Sequence, residues 1–246
     1  MTATGDILLF VHGVCHGGWC WEKYFVPYFS QRGYRCRALD LPGHSPPGSQ
    51  KKINHFSLAD YVRCLEDAVQ ALDQVPILVG HSMGGMVVQK YLERAPGKKA
   101  IFLAPVPPSG AWRASLRFLR KYPRVAPHFF TRDLYAVFHG HARAALFRPD
   151  LPEHLLEEFK QNMCAESFKA YLQLLFPRVT VRHQVEIPVL VLGAGDDLFF
   201  SPREMRRMAD RYRADLQMIP GVAHNMMLDT RHRAVAEAML AWLDGA

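Results

Sequence analysis

Ser82 stands between glycines in Gly80-His81-Ser82-Met83-Gly84-Gly85, where a short apolar run, Val75 to Val79, gives way to Met86, Val87, Val88, Tyr91 and Leu92. The run suits a buried strand and the later spacing suits a buried helix face. A serine hydroxyl becomes a useful nucleophile only when it is exposed and held beside a base. A sharp strand-to-helix turn exposes it, and such a turn needs residues without bulk on both sides, which Gly80 and Gly84 supply. The pattern is that of a nucleophile elbow, and the chemistry it implies is attack on an acyl carbon.

That chemistry requires two backbone N–H groups aimed at the charge developing on a carbonyl oxygen. Met83, directly after the serine, is one expected donor. The other should follow an earlier strand, and Ile7 to Val11 is such a strand, with the glycine-rich loop His12-Gly13-Val14-Cys15-His16-Gly17-Gly18 behind it. Val14 is therefore the second expected donor. An acid and a histidine should come later, in the order Ser, Asp, His.

Ile187 to Leu192 reads as a buried strand that ends in Gly193-Ala194-Gly195-Asp196-Asp197. Asp197 is the expected acid, because Leu198, Phe199 and Phe200 after it would bury their side chains as the carboxylate turns inward. Asp196 stays open as the alternative. Ser201-Pro202-Arg203-Glu204 then starts a helix with a capping box. A further strand, Leu216 to Ile219, leads into Pro220-Gly221-Val222-Ala223-His224, where nothing structural asks for an imidazole. His224 is the expected base. His12 and His81 flank the site and should support its loops, while His128, His139, His141, His154, His183 and His232 are expected at the surface. The strand before the insertion, Lys99 to Leu103, ends in Ala104-Pro105-Val106-Pro107-Pro108 and offers no alternative carboxylate.

Taken in order, the His12-Gly13 loop, the turn Asp40-Leu41-Pro42-Gly43-His44-Ser45, the elbow, Asp197 and His224 resemble the α/β-hydrolase superfamily over nearly the full chain. Val11 to Trp21 is similar to the plant methylesterase and hydroxynitrile lyase branch and to its bacterial esterase relatives. The resemblance implies a mostly parallel central sheet of about eight strands with helices on both faces. It also implies a helical cap inserted before the strand that carries the acid. The lyases of that branch typically carry a threonine where this chain has Gly13 and a lysine where it has Asn225, so the resemblance favours the esterase side. Dehalogenases and epoxide hydrolases of the superfamily use an aspartate at the nucleophile position, which Ser82 does not match. A lyase, and a silent hormone-binding receptor on the same fold, are the rival expectations.

The elements that must position these residues follow from length and pattern. A chain of 246 residues suits one larger domain. Core residues are expected at 1–107 and 184–246, with a cap at 108–183 as an insertion in the same domain. From Ser57, Leu58, Tyr61, Leu65, Ala68, Val69 and Leu72 share a helical face, as do Ala234, Val235, Ala238, Trp242 and Leu243 near the end. The insertion is rich in aromatic and leucine residues, so esters with apolar acyl or alcohol groups are the expected substrates. Cys15, His16, Trp112, Leu116, Phe138 and Asn225 are the residues expected to touch them.

The net charge is +7, concentrated in the insertion, where 12 Lys and Arg face 6 Asp and Glu. Trp112, Leu116 and Leu119 read as one face of a helix there, and Arg113, Arg117, Arg120 and Arg124 as another. A solvated basic face is the simpler reading, and contact with anionic membrane surfaces the sharper one. No nucleic-acid motif accompanies the charge. Cys15, His16 and Cys20 lack a fourth ligand for zinc, and no metal or organic cofactor is required by the chemistry. Five cysteines without regular spacing do not read as a disulfide framework, and Cys36 and Cys64 are expected as small apolar core residues. The apolar run Ile7 to Val11 is too short to span a bilayer, and the expected address is cytoplasmic.

Overall fold

In the computed structural model, the described residues are 5–44, 53–180 and 187–245. Six strands form one parallel sheet: β1 (Ile7–Val11), β2 (Arg35–Leu39), β3 (Ile77–His81), β4 (Lys99–Leu103), β5 (Val189–Ala194) and β6 (Asp215–Ile219). Their order is β2-β1-β3-β4-β5-β6. The central strands β1, β3 and β5 are buried at every position, as expected where helices cover both faces of a parallel sheet. At the edges, β2 and β6 alternate or stay partly exposed.

The expectation of eight strands is corrected to six among the described residues. The larger number came with the resemblance. The apolar runs readable along the chain account for five of the observed strands, and the sixth, edge strand β2, carries Arg35 and Arg37 and makes no such run. His183 and the expected 183/184 boundary of the insertion fall outside the described residues, as does Ser45.

The strand order reverses direction between β1 and β3, because β2 lies to one side of β1 while β3 to β6 extend on the other. At such a switch point the loops leaving the two strands diverge and open a crevice at the carboxyl ends of the strands. The glycine-rich loop leaves β1 there and Ser82 leaves β3. The chain following β5 and β6 brings Asp197 and His224 to the same edge.

Local chemistry sets the helix starts. Ser57 and Ser201 each accept a hydrogen bond from the backbone three residues on, and Asp60 and Glu204 reach back to complete two capping boxes. The helix Leu58–Gln70 buries Leu58, Tyr61, Val62 and Leu65. Cys64 on this helix and Cys36 on edge strand β2 are only half-buried, not core residues, because both lie at the margins of their apolar faces. Between β4 and β5 the described chain forms short helices, from Trp112–Lys121 to Phe168–Leu175, laid across the carboxyl ends of the strands.

Candidate active site

Ser82 adopts φ 51° and ψ −115°, a backbone conformation that side-chain-bearing residues rarely hold. It persists because both flanks are fixed: Ser82 N–H donates to the Leu103 carbonyl, and Val106 N–H donates to the Ser82 carbonyl. The following helix, Met83–Leu92, packs directly against β1 and β3. Met83 is its first residue, so its N–H has no acceptor within the helix.

His224 Nε2 lies 3.0 Å from Ser82 Oγ, and His224 Nδ1 lies 3.0 Å from Asp197 Oδ2. The other carboxylate oxygen of Asp197 accepts the Phe199 N–H at 2.7 Å, which fixes its orientation. Asp197 is buried, and the rings of Phe199 and Phe200 pack on His224 at centroid distances of 4.8 and 5.7 Å. Asp196 points outward and pairs with Arg148 at 3.0 Å. The three side chains of Ser82, His224 and Asp197 are thus joined in one hydrogen-bonded line.

Above that line is a cavity walled mostly by apolar side chains, among them Val106, Ala114, Phe118, Phe138, Leu174 and Phe199. Val14 and Asn225 line it beside Ser82 and His224. Its other polar groups pair with each other. Ser115 Oγ is 2.8 Å from the Tyr171 hydroxyl and 3.0 Å from the Ala111 carbonyl oxygen.

Several expected contacts are corrected. Trp112 and Leu116 do not reach the cavity: Leu116 is exposed, and Trp112 stacks on Phe176 under the Arg113 guanidinium. The lining residues Ala111, Ala114, Ser115 and Phe118 recur at i, i+3, i+4 and i+7 and form one stripe, which leaves Trp112 and Leu116 on another face. Arg117, read as part of a solvated face, instead reaches Glu204 and the Phe199 carbonyl. Cys15 and His16 lie behind the wall rather than on it. The left-handed turn at Cys15, φ 60°, carries the chain away from the cavity after Val14. His232, expected at the surface, is half-buried and stacks on Tyr24.

Four further histidines are buried around the site. Leu41 N–H donates to His12 Nε2 at 3.1 Å, so the proton sits on Nδ1, which donates to the Gly13 carbonyl. His81 lies beneath the elbow, its Nε2 2.9 Å from the carbonyl oxygen of His224. His16 has Nδ1 2.8 Å from the Val14 carbonyl oxygen and Nε2 3.0 Å from Asn225 Nδ2. Burial, helped by the neighbouring imidazoles, pushes His12 and His81 well below the ordinary histidine range and His16 down to about 4.

His44 differs. Burial alone would lower it too, but the Glu166 carboxylate facing Nε2 at 2.9 Å, with the Leu41 and Pro42 carbonyls, raises it instead. Both of its ring nitrogens face acceptors, which suits the imidazolium. Glu166 also accepts from the Tyr61 hydroxyl at 2.8 Å and from the N–H groups of Ser167 at 2.7 Å and Cys15 at 3.3 Å. Nothing local in the sequence singles out Glu166, since its partners lie over a hundred residues away, apart from the adjoining Ser167 N–H.

These directions set a pH dependence of stability. A histidine whose folded value lies below its unfolded value stabilises fully above about 6.5 and loses that contribution as pH falls toward the folded value. For His16 the window runs from 6.5 down to about 4, worth about 3 kcal/mol. His12 and His81 act in the same direction, and His44 in the opposite one, its contribution lost as pH rises through its raised value. Denaturant titrations are expected to show stability falling between pH 6.5 and 4, with His16→Gln removing about 3 kcal/mol of that fall. An unchanged pH slope in the variant would contradict the assignment.

The chain belongs to the alpha/beta hydrolase family, whose family model matches residues 8–238. It is 35% identical over 131 residues to "Probable esterase PIR7A" from Oryza sativa subsp. indica, covering 51% of this chain and 49% of that protein. The chain thus spans about half the length of that relative. It is 27% identical over 259 residues to a pyrethroid hydrolase from Sphingobium wenxiniae, covering 99% of this chain and 89% of that one. Among solved structures it superposes on an esterase (EaEST) from Exiguobacterium antarcticum with a TM-score of 0.76 at 16% identity, covering 98% and 93% of the two chains, a likeness of fold.

Proposed function

We propose that this chain hydrolyses carboxylic esters with apolar acyl or alcohol groups through an acyl-enzyme intermediate. The observation that carries the reading is the line Ser82–His224–Asp197, with both contacts at 3.0 Å, opening onto an apolar cavity. His224 takes the Ser82 proton as the oxygen attacks the ester carbonyl, then gives it to the departing alcohol. Asp197 holds the tautomer that leaves Nε2 free and stabilises the imidazolium. The N–H groups of Val14 and Met83 receive the oxyanion, each worth about 3 kcal/mol where such donors have been measured. Water, deprotonated by His224, then cleaves the acyl-Ser82 bond, releasing the acid and restoring the hydroxyl.

The insertion acts as a cap that sets substrate choice, since Ala114, Phe118 and Phe138 supply much of the cavity wall. The names of the relatives, an esterase and a pyrethroid hydrolase, agree with ester hydrolysis. A hydroxynitrile lyase is disfavoured by geometry. A Cβ at Gly13 would lie 2.8 Å from His81 Nδ1 and 3.0 Å from Ser82 Cβ, leaving no space for a threonine without shifting the elbow.

The test sets p-nitrophenyl ester hydrolysis beside mandelonitrile cleavage, with a fluorophosphonate probe for Ser82. Ester turnover and stoichiometric labelling of Ser82 are expected. Nitrile cleavage without ester turnover would replace the reading with a lyase, and an unlabelled Ser82 would point to a binding protein.

A further inference from the structure

Two residues lining the cavity carry a buried polar atom without a partner: His81, whose Nδ1 lies against Gly13, and Asn225. Asn225 is 1% exposed, lines the cavity beside His224 and Ser82, and its Oδ1 has no hydrogen-bond partner. Buried carbonyl oxygens are nearly always paired, and leaving one unpaired is costly. The orientation of this amide is decided by its neighbours. His16 Nδ1 faces the Val14 carbonyl oxygen, which can only accept, so the single proton of the neutral ring sits on Nδ1. Burial keeps that ring neutral at physiological pH. His16 Nε2 is then a lone pair, and the group facing it must be the Asn225 NH2. The amide cannot flip without opposing two acceptors, so Oδ1 is left as an acceptor.

We propose that Asn225 Oδ1 receives a hydroxyl group carried by the substrate close to its ester, so that hydroxylated esters are the preferred class. The inference rests on the esterase reading and sharpens it. The other side-chain polar group of the apolar wall reinforces it. With the Ser115 hydroxyl donated to the Ala111 carbonyl, Ser115 Oγ accepts from the Tyr171 hydroxyl, so the pair presents lone pairs rather than a free donor. The side chains of the cavity therefore ask for a donor, while the backbone N–H groups of Val14 and Met83 serve the carbonyl oxygen. His16 joins the two functions: it holds the Asn225 amide with one nitrogen and the carbonyl of Val14 with the other.

Beside a plain apolar ester the buried Oδ1 stays without a partner, and a hydroxylated one would satisfy it. Recognition by hydrogen bonding to a buried group discriminates strongly, because the analogue lacking the donor strands the acceptor.

Two matched pairs test the assignment: methyl 3-phenylpropanoate against its 2-hydroxy derivative, and ethyl 3-phenylpropanoate against the 2-hydroxyethyl ester. One hydroxylated member is expected to exceed its partner by about ten- to a hundredfold in kcat/KM. In Asn225→Leu, or the smaller Asn225→Ala if the first does not fold, that ratio is expected to approach one; a ratio cancels any general loss of rate. Calorimetric binding of the same pairs to Ser82→Ala gives a second readout that needs no turnover. Ratios near one in the wild type, equal binding within both pairs, or a preference that survives loss of the amide would overturn the assignment and leave ester hydrolysis standing. Turnover of no ester, with tighter binding of a hydroxylated member to Ser82→Ala, would overturn the hydrolase reading and keep the role of Asn225.

Discussion

Ser82→Ala is expected to lower kcat/KM for ester hydrolysis by about 10⁶-fold, with the fold unchanged. The magnitude follows from the way the three side chains act as one device. The hydroxyl is nucleophilic only while His224 Nε2, 3.0 Å away, can take its proton. His224→Ala is therefore expected to fall to the same floor, and the double variant no lower, because each single change already removes the whole attack. Asp197→Asn should cost about 10⁴-fold by stabilising the wrong imidazole tautomer. Steady-state kinetics with circular dichroism of each variant makes the check. A Ser82→Ala enzyme within tenfold of wild type would mean that the nucleophile lies elsewhere.

Gly84→Ala should unfold the protein or destabilise it by more than about 4 kcal/mol. A Cβ at that position would lie 2.2 Å from the Val11 carbonyl oxygen and 2.5 Å from that of His12. These are backbone atoms of the central strand and its loop, not the ends of side chains that could swing aside. Gly84 is where the elbow helix crosses closest to β1, so separation would pull apart Ser82 and the Val14 loop together. Gly140→Ala, where an added Cβ meets nothing within 4 Å, is the control and should be neutral or slightly stabilising. Urea denaturation of both variants gives the comparison, and a Gly84→Ala protein with native stability would refute the packing argument.

The legible parts of this molecule are those with local physical demands. A serine at positive φ needs glycines around it within a few residues, so the elbow can be read directly from Gly80 to Gly85. Strand ends carrying a carboxylate or an imidazole are similarly local, and Asp197 and His224 do meet Ser82. The face of the helix Trp112–Lys121 is a different matter. Trp112 and Leu116 form one apolar stripe and Ala111, Ala114 and Phe118 another, and which stripe meets the cavity depends on how the helix docks, a tertiary property. Glu166 and the amide orientation of Asn225 depend on partners 122 and 209 residues away, beyond any pattern in a window. The strand number expected by analogy exceeds the observed six; five of these coincide with apolar runs, while edge strand β2, Arg35–Leu39, alternates charged and small residues and makes no such run.

Glu166 also ties the insertion to the core beneath it. Its carboxylate holds His44, Tyr61 and the loop carrying Val14 from a position well inside the returning limb of the insertion. Lifting that limb would leave Glu166, His44 and the Tyr61 hydroxyl, all buried, without their hydrogen-bond partners at once. On the opposite limb, Val125 is buried, Phe129 lines the chamber and packs on Tyr171, and Phe130 stands 88% exposed. One carboxylate far along the chain thus keeps the Val14 loop in register with the insertion above it.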